Sequence, residues 1–154
     1  MSKVLTLGYE YEHDYNLIAI NSTLNDYRLA YFLNKNLEIQ LERQANNLDF
    51  IDKNCSFSLY NYDCNITFSS WSLVANKHIF ISKNTEKTNL FTEETKISYL
   101  LNEKKGVDFF LKIFGDFNFE SLNLIVNNIK GISGVITSYT IDPQTLKSKD
   151  FLIF

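Results

Sequence analysis

The sequence predicts an α+β domain in which two helices pack on one face of a mostly antiparallel sheet, with a β-α-β unit at each end. Three observations predict it. Residues 107–141 read as strand, capped helix and strand. Residues 16–41 repeat that order near the N-terminus. Between the two lie several short strand-like runs broken by polar turns, and with one proline and five glycines no flexible linker divides the 154 residues into separate domains.

The C-terminal unit is the clearest. Residues 107–113 are rich in aromatic and branched side chains, as a strand requires. Asn118 is placed to accept from the first free N–H groups of a helix over residues 119–130. Leu122, Ile125, Val126 and Ile129 fall at i, i+3, i+4 and i+7, which gives that helix one core-facing stripe. Lys130 suits the negative end of the helix, Gly131 is expected as its left-handed cap, and Gly134 precedes a strand over 135–141. In the N-terminal unit, residues 16–21 form an apolar run expected as a buried strand. Ser22 or Thr23 offers an N-cap, with Asp26 completing a weak capping box, so a helix is expected over 24–36. Leu37, Ile39 and Leu41 alternate with polar residues and predict a strand.

Residues 55–60, 71–75, 78–81 and 97–101 are expected as further strands. Residues 61–63 are expected as a turn, 83–96 as a mobile polar loop, and 103–106 as the turn joining the strands at 97–101 and 107–113. The pattern has ferredoxin-like elements, with more middle strands than the simple form.

Composition narrows the function classes. Hydrophobic residues make up 45% of the chain and aromatic residues 15%, enough for a core without metal or disulfide support. The 15 basic and 18 acidic residues leave a net charge of −3, against the basic excess of most phosphate-backbone binders. No apolar leader core follows Met1, and no run approaches the roughly 18 apolar residues of a membrane helix, so a cytoplasmic protein is expected. Cys55 and Cys64 are too few for a disulfide framework and are expected as reduced thiols without a catalytic role.

Chemistry-bearing patterns are sparse. Glu103 and Asp108 are two carboxylates five residues apart, expected in local caps or pairs, with Lys112 or Lys105 as partners for Asp108. His13 lies among Glu10, Glu12 and Asp14, a segment expected to be solvated, and neither His13 nor His78 has metal-ligand spacing. Gly131 and Gly134 make no phosphate loop. Lys104, Lys105, Lys112, Lys130, Lys147 and Lys149, with Phe109, Phe110 and Tyr139 nearby, form a faint RNA-binding pattern set against the acidic total.

Residues Leu101-Asn102-Glu103-Lys104-Lys105-Gly106-Val107-Asp108-Phe109 resemble the segment that names the IPExxxVDY family. Glu103, Val107 and Asp108 match, Leu101 and Phe109 depart mildly, and Asn102 stands where the family has proline. The likeness extends to residues 24–31, to 71–77, and to 139–149. It implies a small cytoplasmic bacterial protein, and it brings no catalytic residue, cofactor or partner with it.

The first helix carries the strongest functional signal. Leu29, Ala30, Leu33 and Leu37 make one apolar face, while Leu24, Tyr27 and Tyr31 are expected on the opposite side, with Arg28 beside them. A helix on a sheet needs one stripe only, and a second face rich in Tyr and Arg has the composition of an interface. The apolar tail Phe151-Leu152-Ile153-Phe154 is expected to add a last strand to the sheet, with a course across the outer face of that helix as one option, or to dock on a partner by strand addition. The sequence therefore reads as a non-enzymatic interaction module for a protein partner or a second copy, with Tyr27, Arg28, Tyr31, Phe151 and Phe154 as contact residues. A small-molecule-sensing ferredoxin-like domain with a cleft beside residues 131–134, and an RNA- or ribosome-associated protein, are the alternatives. No cofactor, metal, nucleic acid or membrane is expected.

Overall fold

The computed structural model describes residues 12–50, 55–83 and 93–154. In chain order they form β1 (Asn16–Ser22), α1 (Asp26–Leu37), β2 (Glu42–Arg43), β3 (Leu48–Phe50), β4 (Cys55–Phe57), β5 (Leu59–Cys64), β6 (Ser69–Ala75), β7 (Lys77–Lys83), β8 (Glu93–Tyr99), β9 (Phe109–Phe114), α2 (Phe119–Lys130) and β10 (Val135–Ile141). Short 3-10 turns at Asn102–Lys104, Pro143–Thr145 and Lys149–Leu152 complete the described chain.

The main sheet has six antiparallel strands in the order β10-β1-β9-β6-β5-β2. Its first four strands, with α1 following β1 and α2 following β9, repeat the order of a split β-α-β pair, as in ferredoxin-like folds. The extra strands are insertions: residues 38–68 enter after α1, and the hairpin of β7 and β8 enters between β6 and β9.

Both faces of the sheet are covered, which explains why β1 and β9 read as continuous apolar runs rather than alternating ones. On one face Ile18, Ile20, Leu73, Leu111 and Ile113 pack against Leu29, Ala30 and Leu33 of α1 and Val126 and Ile129 of α2. On the other, Leu17, Ala19, Val74 and Phe110 pack against Cys55, Phe57, Leu100, Leu101, Leu146 and Leu152. Each fully buried Leu, Ile or Phe in these two layers contributes about 1.5–3 kcal/mol.

The helices sit where their patterns place them. The Asn118 side chain accepts from Ser121 N–H at 2.8 Å and starts α2. α1 begins later than expected, with Asn25 at its cap position. Ser22 and Thr23 are engaged elsewhere: both hydroxyls donate to Gly134 O, at 3.0 and 3.2 Å. Gly131 is not the left-handed residue. Its φ is −75°, its N–H bonds Asn127 O, and tight turns carry the chain on to Gly134, where φ is +100°. A Cβ at Gly134 would meet Leu24 Cγ at 2.7 Å, so conformation and packing both require glycine there.

Several strand boundaries differ from expectation. Residues 37–41 are not a strand, because the Asn34 side chain takes both backbone groups of Leu41, accepting from its N–H at 2.7 Å and donating to its carbonyl at 3.1 Å. The expected strand at 55–60 breaks at Ser58 into β4, which pairs with β3, and β5, which pairs with β6. Residues 61–63 are the middle of β5, opposite Ser72, Trp71 and Ser70, and the reversal comes at residues 65–68. Lys83 belongs to β7 and residues 93–96 to β8, and the rest of the expected loop, 84–92, lies outside the described residues. The strand at 97–101 pairs with β7 and not with the strand that follows it, so residues 103–106 do not join a hairpin. Leu24 faces Gly134 and the core, not the outer side of α1. The tail forms a 3-10 turn on the face opposite the helices, and it neither adds a strand nor crosses α1.

Candidate functional site

Three of the segments that carry the family resemblance meet in space, and their polar residues tie the chain together. Asn76 follows β6 and is wholly buried. Its Nδ2 donates to Lys104 O and Val107 O, each at 2.8 Å, and its Oδ1 accepts from Leu101 N–H at 2.9 Å. Its own backbone N–H and C=O are bonded to Asp108 O and Leu100 N–H. One side chain therefore sets the path of residues 101–108.

Glu103 and Asp108 do not face each other across a reaction space. Glu103 accepts from Lys147 N–H at 3.1 Å and from the N–H and hydroxyl of Ser148. The Ser148 hydroxyl, followed by the backbone donors, holds this carboxyl below its usual pKa. Asp108 accepts from Ser22 N–H at 2.9 Å and from Lys77 Nζ at 2.7 Å. Its ionic partner is thus Lys77, because Lys112 points into the core and Lys105 lies over the Tyr99 ring. Val107 is buried in the second core layer. Residues 101–108 thus form a set of ties between β1, β6 and the C-terminal segment.

The residues expected to make partner contacts separate into two groups. Tyr27 and Tyr31 are each 62% exposed, Arg28 is exposed beside them, and the Tyr31 ring packs edge-on against Phe32 at 5.3 Å between centroids. Phe151 and Phe154 instead lie half-buried against the second core layer, Phe151 edge-on to Phe50. Phe154 and Leu152 roof Lys112, the one charge inside the Phe-Phe-Leu-Lys-Ile-Phe sequence of β9. Lys112 Nζ donates to Leu152 O at 2.6 Å and lies 4.4 Å from the Phe154 ring centroid and 4.7 Å from that of Tyr15. Burial pulls its pKa down to about 8.

This burial removes Lys112 from the surface lysine set of the RNA reading. The sensing alternative requires a cleft beside residues 131–134, and the Leu24 side chain fills the space against Gly134. His13 is also buried rather than solvated. Its Nδ1 is 2.7 Å from the Tyr15 hydroxyl, and Asp150 is 3.6 Å from Nε2. Among the described residues no group of three His, Cys, Asp or Glu side chains is arranged to hold a metal ion, and no helix is long and apolar enough to cross a membrane.

Sequence reasoning missed the setting of Cys64. It ends β5 and borders an open cleft of about 190 Å³ with Leu37, Ile39, Tyr62, Trp71 and Phe117. Hydrogen bonds from the Thr67 hydroxyl and then Tyr62, with the N–H groups of Thr67 and Ile66, bring its pKa down to about 6. Cys55 is buried in β4 on the other core layer, so the two thiols are not opposed across a turn. At neutral pH a disulfide reagent is expected to modify Cys64 and leave Cys55 intact, with the rate falling as pH drops through about 6. Mass-spectrometric mapping checks this, and equal labelling of both cysteines contradicts it. The signal available in sequence was Thr67 and Tyr62 close on either side of Cys64.

Comparison with protein-family models, curated proteins and solved structures finds no match to this chain.

Proposed function

We propose that the protein is a non-enzymatic protein-interaction module and that its partner docks on the outer face of α1. One observation carries this reading: the helix that buries Leu29, Ala30 and Leu33 exposes Tyr27 and Tyr31 one turn apart, with Arg28 between them. Tyr and Arg are the side chains most often found at the energetic centre of protein interfaces. The ring of Tyr31 rests on Phe32, so part of its ordering cost is met before binding. The resemblance of residues 101–109 to the IPExxxVDY family supports a setting in the bacterial cytoplasm.

The test replaces Tyr27 and Tyr31 with Ala together. The variant is expected to melt like the parent, because neither side chain is in the core, and to lose at least about 2 kcal/mol of partner affinity. Affinity capture of the tagged protein, followed by titration against the captured partner, provides the measurement. An unchanged set of captured proteins and unchanged affinities would reject the α1 face.

A further inference from the structure

The two edges of the main sheet are built differently. The β2 edge has two residues, Glu42 and Arg43, both charged and exposed. Short charged edges of this kind discourage pairing with another chain. The β10 edge has seven residues, Val-Ile-Thr-Ser-Tyr-Thr-Ile, with no charge and no proline. Its one irregularity is confined to its start, opposite the Asn21 to Ser22 step of β1. Among the described residues, only β1 hydrogen-bonds the backbone of residues 136–141. In an antiparallel ladder about half of an edge strand's N–H and C=O groups point away from its neighbour. Those of β10 point outward beside Ile136, 70% exposed, and Tyr139, 40% exposed.

We propose that β10 is a self-association edge, at which two copies of this chain pair β10 with β10 in antiparallel fashion about a two-fold axis. The charges flanking the strand select a second copy and this direction. Exposed Lys130, at the end of α2, comes before the start of β10, and exposed Asp142 follows its end. Antiparallel pairing sets the start of one strand beside the end of the other, which brings each Lys130 toward Asp142 of the second copy. Parallel pairing brings like toward like. Within the strand no charge meets its own copy, and branched and aromatic residues lie across from one another, which favours sheet pairing. Seven residues give a contact about 24 Å long. A single pair of strands buries less than a standard stable complex, which takes about 1,200 Å² and upward, so the dimer is reversible and depends on concentration. The edge is separate from Tyr27 and Tyr31, and this inference does not rest on the α1 reading.

Two opposite variants test it whatever the register. Thr137→Lys with Tyr139→Lys makes a basic edge, and Thr137→Glu with Tyr139→Glu makes an acidic one. Thermal melts establish that both are folded. In sedimentation velocity the unaltered protein is expected to shift from monomer to dimer as concentration rises. Each variant alone is expected to associate at least about tenfold more weakly, since like charges face each other. An equimolar mixture of the two is expected to recover the dimer. An unaltered protein that stays monomeric at every concentration overturns the proposal. So do variants that dimerise as the parent does, and so does a dimer abolished by Tyr27→Ala with Tyr31→Ala and retained by the strand variants.

Discussion

Asn76→Ala is expected to destabilise the protein by about 4 kcal/mol, a large part of the roughly 5–15 kcal/mol that holds a domain folded. The Asn76 side chain is wholly buried and makes three hydrogen bonds to backbone groups, those of Leu101, Lys104 and Val107. Alanine leaves those groups without their partner, at about 1–3 kcal/mol for each one buried. Asn76→Asp keeps the acceptor, loses both donors and adds a charge, so it is expected to be no better. Lys77→Ala removes a pair that is partly exposed and is expected to cost under about 1 kcal/mol. Urea denaturation checks the series: the midpoint for Asn76→Ala falls with little change in slope, and a midpoint equal to the parent's would show that the 101–108 path is held by something else.

Deleting residues 151–154 is expected to remove about 4 kcal/mol and to lower the melting temperature by about 10 °C, at roughly 2–4 °C per kcal/mol for a chain of this size. Leu152 is wholly buried against the second core layer, and truncating such a leucine costs about 2–5 kcal/mol by itself. The deletion also strips the Phe154 ring and the Leu152 carbonyl from above Lys112, a cation inside the sheet layer, and the Phe151 ring from Phe50. Breaking a buried charge's contacts costs more than the contacts were worth in water. Leu152→Ala alone is expected to reproduce about half of the loss, and Ile153→Ala, at an exposed position, almost none. A truncated protein that melts with the parent would mean that the tail contributes nothing to this fold.

The legible parts of the fold were those governed by local chemistry. α2 occupies the expected residues because its cap and its stripe lie within one segment. The continuous apolar runs of β1 and β9 announce strands covered on both faces. What escaped was decided by distant partners. Asn34 captures Leu41 and cancels a strand that alternation favours. Gly134 binds Ser22 and Thr23 and delays α1. At the site, the exposure of Tyr27 and Tyr31 agrees with the helical period, because that period depends only on spacing. Leu24 departs from it because it lies before the helix proper and closes on Gly134. Asn76 has no local mark, since its three partners are more than twenty residues away in sequence. Lys112 did carry one, a single cation between apolar neighbours on both sides.

β1 lies inside the sheet between β9 and β10, so its backbone bonds both near the far end of the chain. A ribosome therefore delivers an interior strand long before either neighbour exists. Until they arrive, an apolar ribbon with two unsatisfied edges has to be kept from other chains. Loop closure over that span precedes any reward from pairing, which places folding among the slower topologies, in roughly milliseconds to seconds. The two helices and the β7–β8 hairpin are local in sequence and are expected to form early. The rate of the whole is then set by how quickly β9 and β10 find the waiting strand.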